Sequence, residues 1–269
     1  MVVQVRCPAK VNLGLSVHPK DPSGYHPLRT TFQAIGLNDE LILETDVMET
    51  QLISNWQGLP AENTVTKCLQ LVRELVSIPP LRISLRKRIP AESGLGGGSS
   101  NAAGLLRALR KILDSPLPPV SEVEVATAVG ADVPFFLVGG RAEASGYGEL
   151  LNPLPDHACQ WFVIVRPQVG VSTAAAYAAL DSMDDRTPSD PHHCINDFEL
   201  VAPPECLQLK ARLLELEANC SLLCGSGSAV FGTFNTESSA RSAAIALDSS
   251  TCSTWVIPSL TREESLWIS

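Results

Sequence analysis

The chain is short of positive charge: 20 Lys and Arg stand against 29 Asp and Glu, a formal net charge of −9. Phosphate backbones need a basic surface, so nucleic acid is a poor partner, whereas a phosphorylated small molecule needs only a local cluster of donors. Long hydrophobic runs are missing too. The stretch 1–17 carries Arg6 and Lys10 inside its apolar pattern, too interrupted for a signal peptide or a transmembrane helix, which predicts a cytoplasmic protein with no membrane partner. Neither internal repeats nor low-complexity tracts occur. The eight cysteines are scattered, without the paired spacing of a zinc ribbon or finger. They read mostly as small buried hydrophobes; the sharper alternative is a metal site from Cys220, Cys224 and the His192-His193-Cys194 run.

What is present describes a folded globular chain: 269 residues, 45% hydrophobic and 18% charged, enough for one large domain or two ordinary ones. Short β-like runs at 2–6, 11–17, 30–36 and 41–52 open the chain, and apolar periodicity predicts helices over 62–77, 101–113 and 121–129. Residues 81–89, 133–138 and 161–166 read as strands. Beyond them, predicted helices at 172–180, 205–216 and 237–247 surround strands at 229–234 and 254–257. The Pro-rich, charged stretch 181–193 reads as a surface loop. Helices and strands mix without regular alternation, so the expected class is α+β, two lobes spanning 1–155 and 156–269 with a cleft between them.

The most informative stretch is Gly94-Leu95-Gly96-Gly97-Gly98-Ser99-Ser100, between a predicted strand and an amphipathic helix. Such glycines clear side chains from the backbone amides, and the positive end of the next helix adds to an anion site. Ser99, Ser100 and Asn101 contribute further donors. The alternative is a flexible turn with a serine cap. The familiar phosphate loops do not fit: no Gly-Lys dipeptide occurs for a Walker loop, and the third glycine of a dinucleotide loop is replaced by Ser99 or Asn101. Protein-kinase His-Arg-Asp and Asp-Phe-Gly signatures and a nucleophile elbow are also missing.

The run Pro90-Ala91-Glu92-Ser93-Gly94-Leu95-Gly96-Gly97-Gly98-Ser99-Ser100-Asn101 resembles the signature of the GHMP kinases. Four further segments extend the resemblance through nearly the whole chain: Pro8-Ala9-Lys10-Val11-Asn12-Leu13, Gly24-Tyr25-His26-Pro27-Leu28, Gly130-Ala131-Asp132-Val133-Pro134 and Gly225-Ser226-Gly227-Ser228-Ala229. Asn196-Asp197-Phe198-Glu199 fits as well. The resemblance implies a two-lobed fold with its active site in the cleft, an N-terminal lobe that binds ATP and a C-terminal lobe that binds the acceptor. Within the superfamily the segments are most similar to the branch that uses ATP and Mg2+ to phosphorylate the 2-hydroxyl of 4-diphosphocytidyl-2-C-methyl-D-erythritol, a cytidine diphosphate sugar alcohol on the non-mevalonate route to isoprenoid precursors. The rivals are another GHMP kinase, of the homoserine or phosphomevalonate type, and a non-catalytic nucleotide-binding regulator.

The same resemblance implies roles. Asp132 is the expected catalytic base and Lys10 its cationic partner. Pro90, Gly94, Leu95, Gly96, Gly97, Gly98, Ser99, Ser100 and Asn101 are expected around ATP. Asn12, Tyr25, His26, Thr173 and Tyr177 are expected around the acceptor, with Tyr177 stacking on the base. From the residues alone, Lys10 reads equally as an outward strand position, and a helix-end or turn aspartate is the alternative for Asp132. Tyr147 is left as structural, and Arg82, Arg86, Lys87 and Arg88 as a solvated strand face, with electrostatic attraction of ATP as the alternative. Glu92 departs from the small residues usual at the start of the loop, and no protein ligand for magnesium is named. The expected state is a monomer or weak dimer.

Overall fold

A computed structural model describes residues 1–183, 186–192, 194–247 and 251–269. The first lobe opens with two long antiparallel strands, β1 (Val2–Val17) and β2 (Leu28–Glu44). Runs that read as separate short strands are therefore continuous, because β-bulges absorb the irregular places instead of ending the ladder. One register shift falls between Pro8 and Ala9, and a second between Asn12 and Leu15, where β1 carries one residue more than β2. Such an insertion changes which face the following side chains point to.

Next come β3 (Gln51–Ser54), helix α1 (Thr64–Leu75), β4 (Arg82–Arg86), helix α2 (Gly97–Ile112), helix α3 (Pro119–Val129), the short α4 (Phe135–Val138), β5 (Arg141–Ser145) and β6 (Leu150–Leu154). The strands form one sheet in the order β3-β4-β2-β5-β6, with β1 on β2 and only the β3–β4 pair parallel. Residues 133–138, expected as a strand, turn instead into α4. Pro134, in helical conformation, caps it, and a short apolar run has no periodicity that separates a buried strand from a buried helical turn. Helix α2 packs along β1. At their closest approach a Cβ on Gly104 would lie 2.4 Å from Cys7 Sγ, so only glycine fits there.

The second lobe holds β7 (Trp161–Pro167), α5 (Thr173–Asp181), a 3-10 turn (Asp197–Val201), α6 (Pro204–Glu215), β8 (Cys220–Leu223), β9 (Val230–Phe234), α7 (Glu237–Ala246) and β10 (Cys252–Pro258). Its sheet runs β10-β7-β9-β8, all antiparallel. A short helix, α8 (Arg262–Ser265), leads the chain back to the first lobe, where Ile268 bridges Val5.

Three apolar clusters hold this together. One fills the space between the first sheet and α1 to α4, a second lies under α5, α6 and α7, and a third joins the lobes through Ala9, Val11, Leu95, Phe162, Leu222 and Phe231. The third explains why β1 is buried on both faces from Cys7 to Val11: α2 covers one side and the second sheet the other. Among the described residues no helix is long and apolar enough to cross a membrane.

Four of the eight cysteines, Cys7, Cys68, Cys206 and Cys224, are buried thiols, whereas Cys159 is exposed and Cys252 half-buried. Burial pushes the Cys7 thiol up to about 11 and that of Cys68 up to about 12. Cys194 and Cys220 form a disulfide with Cα atoms 6.3 Å apart, which removes both from the suggested metal set. No group of three or more His, Cys, Asp or Glu among the described residues could hold a metal, and His193 lies outside them. The predicted surface loop is partly buried: Arg186 pairs with Asp197 at 3.0 Å, their side chains 8% and 1% exposed.

Candidate active site

The glycine loop is the wall between two cavities. Gly94 and Gly96 take left-handed φ of 75°, a conformation that costs glycine little and most side chains much. At Gly94 space forbids a side chain as well, since a Cβ would meet the Cys224 carbonyl oxygen at 1.7 Å. The loop thus lies directly on the turn after β8. Gly96 caps α2 without any side-chain hydrogen bond, and the first backbone bond it accepts comes from Ser100. The N–H groups of Gly97, Gly98 and Ser99 are left for a ligand at the positive end of a 16-residue helix.

On one side of the loop is a cavity of about 380 Å³ lined by Pro90, the stretch Ala91 to Ser99, and residues of α1 and the segment before it. Trp56, Leu59, Asn63 and Thr64 line it too, and sequence reasoning missed them. Asn63 caps α1, and Thr64 donates through Oγ1 to the Gly98 carbonyl at 2.6 Å. Polar residues at the start of a predicted helix were the available signal; which cavity that helix end faces is set by the fold. Lys87, assigned to a solvated face with its neighbours, is a correction. Arg82 and Arg86 do pair across the strands with Glu44 and Glu40, but the Lys87 side chain is only 12% exposed and pairs with buried Asp39.

On the other side lies a cavity of about 350 Å³ that brings together Lys10, Asn12, Asp132, Thr173 and Tyr177, with Gly94, Gly96 and Ser99 shared between the two. Lys10 is buried, not outward-facing. Its Nζ lies 3.3 Å from Asp132 Oδ2 and donates to Asn12 Oδ1 at 2.9 Å. Asn12 Nδ2 in turn donates to Thr30 Oγ1 at 2.9 Å, and the Lys10 backbone N–H donates to the Leu95 carbonyl. Strand, loop and acidic turn are therefore fixed to one another around the ammonium.

Acceptor-side residues are arranged less simply. His26 is buried, with Nδ1 2.9 Å from the His18 carbonyl oxygen and Nε2 3.2 Å from Asp181 Oδ1, and its ring stacks on Tyr177 at 4.7 Å. Tyr177 also meets Phe198 edge-on; burial, reinforced by the negative charge of Asp132, pushes its phenol up to about 12, so it stays neutral. Tyr25 is exposed, 5.5 Å from the ring of Tyr147. Tyr147 lines the cavity and reaches Asp21 and Ser23 through its hydroxyl, buttressing the turn that carries Tyr25. Ser226 lines the cavity too, and its hydroxyl is 2.9 Å from that of Thr173.

Leu95 and Asn101 line the nucleotide cavity, but their side chains are held elsewhere. The Leu95 side chain is buried in the core between the lobes, and the Asn101 side chain is committed to Asp39 and Lys87. Ser100 is fully buried.

Residues 63–140 match the model of the GHMP kinases N terminal domain, and the glycine loop set on a helix N-terminus between two sheets defines a small-molecule kinase of that class. The fold agrees: a homoserine kinase from Cytophaga hutchinsonii, 19% identical, superposes with a TM-score of 0.74 over 99% of this chain and 97% of its own. A 4-diphosphocytidyl-2-C-methyl-D-erythritol kinase of Moorella thermoacetica is 35% identical over 83% of this chain and 87% of its own, and one from Geobacter metallireducens 35% identical over 94% and 96%. The crystal structure of a 4-(cytidine 5'-diphospho)-2C-methyl-D-erythritol kinase superposes with a TM-score of 0.82 at 34% identity, covering 95% and 98%. The chain belongs to the 4-diphosphocytidyl-2-C-methyl-D-erythritol kinase family.

Proposed function

We infer that the protein transfers the γ-phosphoryl group of ATP to the 2-hydroxyl of 4-diphosphocytidyl-2-C-methyl-D-erythritol, in the cytoplasm and in the non-mevalonate route to isoprenoid precursors. The observation that carries the reading is the Lys10–Asp132 pair, 3.3 Å apart, in the acceptor cavity beside the loop that both cavities share. ATP occupies the cavity lined by Trp56 and Thr64, its phosphates on the free N–H groups of Gly97, Gly98 and Ser99. The cytidyl acceptor lies across Tyr177 and the Tyr25-His26 turn, with its reacting hydroxyl at Asp132.

In this arrangement Asp132 orients the hydroxyl and receives its proton, and Lys10 offsets negative charge on the transferred group. Asn12 and the Lys10 backbone bond to Leu95 keep the ammonium in place, so little reorganisation is needed at the moment of transfer. Magnesium accompanies the nucleotide. Asp132 in the acceptor cavity and Glu92 in the nucleotide cavity are the carboxylates that line the two sides of the loop, and with no group of three ligands among the described residues the ion would be held mostly by phosphate oxygens. When bound, it offsets phosphate charge.

The test is ADP release with a panel of acceptors: the cytidyl compound, its uridine analogue, homoserine, mevalonate and phosphomevalonate. Turnover should require the cytidyl compound and fall sharply with uracil, whose exchanged donor and acceptor leave buried polar groups unpaired. Equal turnover of the uridine analogue removes the base-reading role from the Tyr25-His26 turn.

A further inference from the structure

Asp39 is completely buried on β2, and a carboxylate in that position is costly unless donors surround it. Four do. Oδ1 accepts from the backbone N–H of Arg88 at 2.7 Å and of Ile89 at 2.8 Å; Oδ2 accepts from Asn101 Nδ2 at 2.9 Å and from Lys87 Nζ. All four donors belong to the segments that flank the glycine loop: Lys87, Arg88 and Ile89 immediately before Pro90, and Asn101 immediately after Ser100. A single side chain on a neighbouring strand thus pins both ends of the loop.

It also sets the direction of a charge. Lys87 lines the nucleotide cavity, and its Nζ lies 3.1 Å from where a Cβ on Gly97 would sit, over the first turn of α2. An ammonium next to a positive helix end is disfavoured unless an anion holds it there, and Asp39 is that anion. Incoming phosphate oxygens then meet the loop N–H groups in a cavity that the Lys87 cation also lines.

We propose that Asp39 is a positioning residue for the nucleotide triphosphate, acting through Lys87 and Asn101 without touching the ligand. The proposal rests on the assignment of ATP to this cavity. Asp39→Asn keeps an acceptor for Arg88 and Ile89 but turns a donor toward Lys87 and Asn101. Titration calorimetry with a non-hydrolysable ATP analogue should show affinity lower by about tenfold or more. The KM for ATP should rise while the KM for the acceptor stays where it was. Lys87→Met should also weaken analogue binding, yet add little in the Asp39→Asn background, since the two act as a unit. A folded Asp39→Asn variant with unchanged analogue affinity would falsify the proposal, and so would full additivity with Lys87→Met. Should Asp39→Asn not fold, Asn101→Ala decides, because it leaves the carboxylate's backbone bonds intact and removes only its hold on the far end of the loop: a loss of analogue affinity upholds the proposal, and no loss overturns it. Wild-type protein that does not bind the analogue refutes the ATP assignment itself, a separate outcome.

Discussion

The two cavities that share the glycine loop are built in opposite ways. The nucleotide side comes from two stretches of chain, 56–65 and 85–101, and its chemistry is largely backbone: a helix end without a side-chain cap and a run of glycines. The acceptor side is assembled from residues as far apart as Lys10 and Ser226, taken from both lobes, and its chemistry is carried by side chains. A backbone site tolerates most changes of side chain but no intrusion of bulk. A side-chain site should fail group by group, each loss with its own kinetic signature.

Bulk in the loop is the strongest test of that contrast. Gly98 is exposed on the cavity wall, has no left-handed φ, and the only atoms a Cβ would approach belong to the Thr64 side chain, at 3.3 Å and beyond. Gly97 is a poorer choice, since a Cβ there meets Ile89 at 3.0 Å and would disturb packing. Gly98→Val should therefore abolish ATP binding in calorimetry while circular dichroism and the melting temperature stay close to wild type. Unchanged ATP affinity would reduce the loop to a turn.

Removal of charge comes next in size. Asp132→Asn keeps the shape of the side chain, so binding of both substrates should change little, while single-turnover transfer under saturation drops by about 10²–10⁴-fold. Lys10→Met should lose at least as much, without adding to Asp132→Asn, because Lys10 acts on the carboxylate and on the transferred group together. A near-normal rate in Asp132→Asn points to a route in which the γ-phosphate itself takes the proton.

The same contrast governs what could be read from the letters. Contiguous features were legible: the glycine loop, the helix behind it, the mixed α+β class and the buried apolar character of Cys7 and Cys68 all follow from neighbours in sequence. Lys10 next to Asp132 was not derivable from spacing, because 122 positions of chain separate them and only the folding of the acidic turn onto β1 brings them together. Asp39 was invisible for a related reason. An aspartate in a β run between Asn38 and Glu40 looks like one more surface charge, and only the fold reveals that loop N–H groups surround it. Residues 133–138 misled because Val-Pro-Phe-Phe-Leu-Val is equally apolar as strand or helix, and its length could not arbitrate.

An intermediate effect is expected at Tyr177, where the acceptor side depends on a ring that stacks on His26 and meets Phe198 edge-on. Tyr177→Ala should weaken acceptor binding by about 1–3 kcal/mol if the base stacks there, leaving ATP affinity untouched. Because the ring also packs on His26 and Phe198, the variant should melt earlier, and a binding measurement well below its melting temperature separates the two losses. Weaker ATP binding in this variant would mean that the cavities are coupled more tightly than their separate construction suggests.

The smallest effect belongs to Ser226, whose hydroxyl meets that of Thr173 at 2.9 Å and so links the turn after β8 to the first residue of α5. One hydrogen bond of this kind between partly buried groups is worth about 0.5–1.5 kcal/mol. Ser226→Ala removes it and leaves the Thr173 hydroxyl with one partner fewer, while the backbone of the turn remains tied to Asn196, which donates to the Leu223 and Gly225 carbonyls at 2.9 and 2.7 Å. The expected outcome is a rise in the KM for the acceptor of up to about tenfold, the same kcal/mol expressed as a ratio, with kcat and the KM for ATP unchanged. Thr173→Val should produce the same rise, and the double variant no more than either. If Ser226→Ala instead raised the KM for ATP, the turn would belong to the phosphate side, and the boundary between the two cavities would run through Gly225 instead of through the glycine loop.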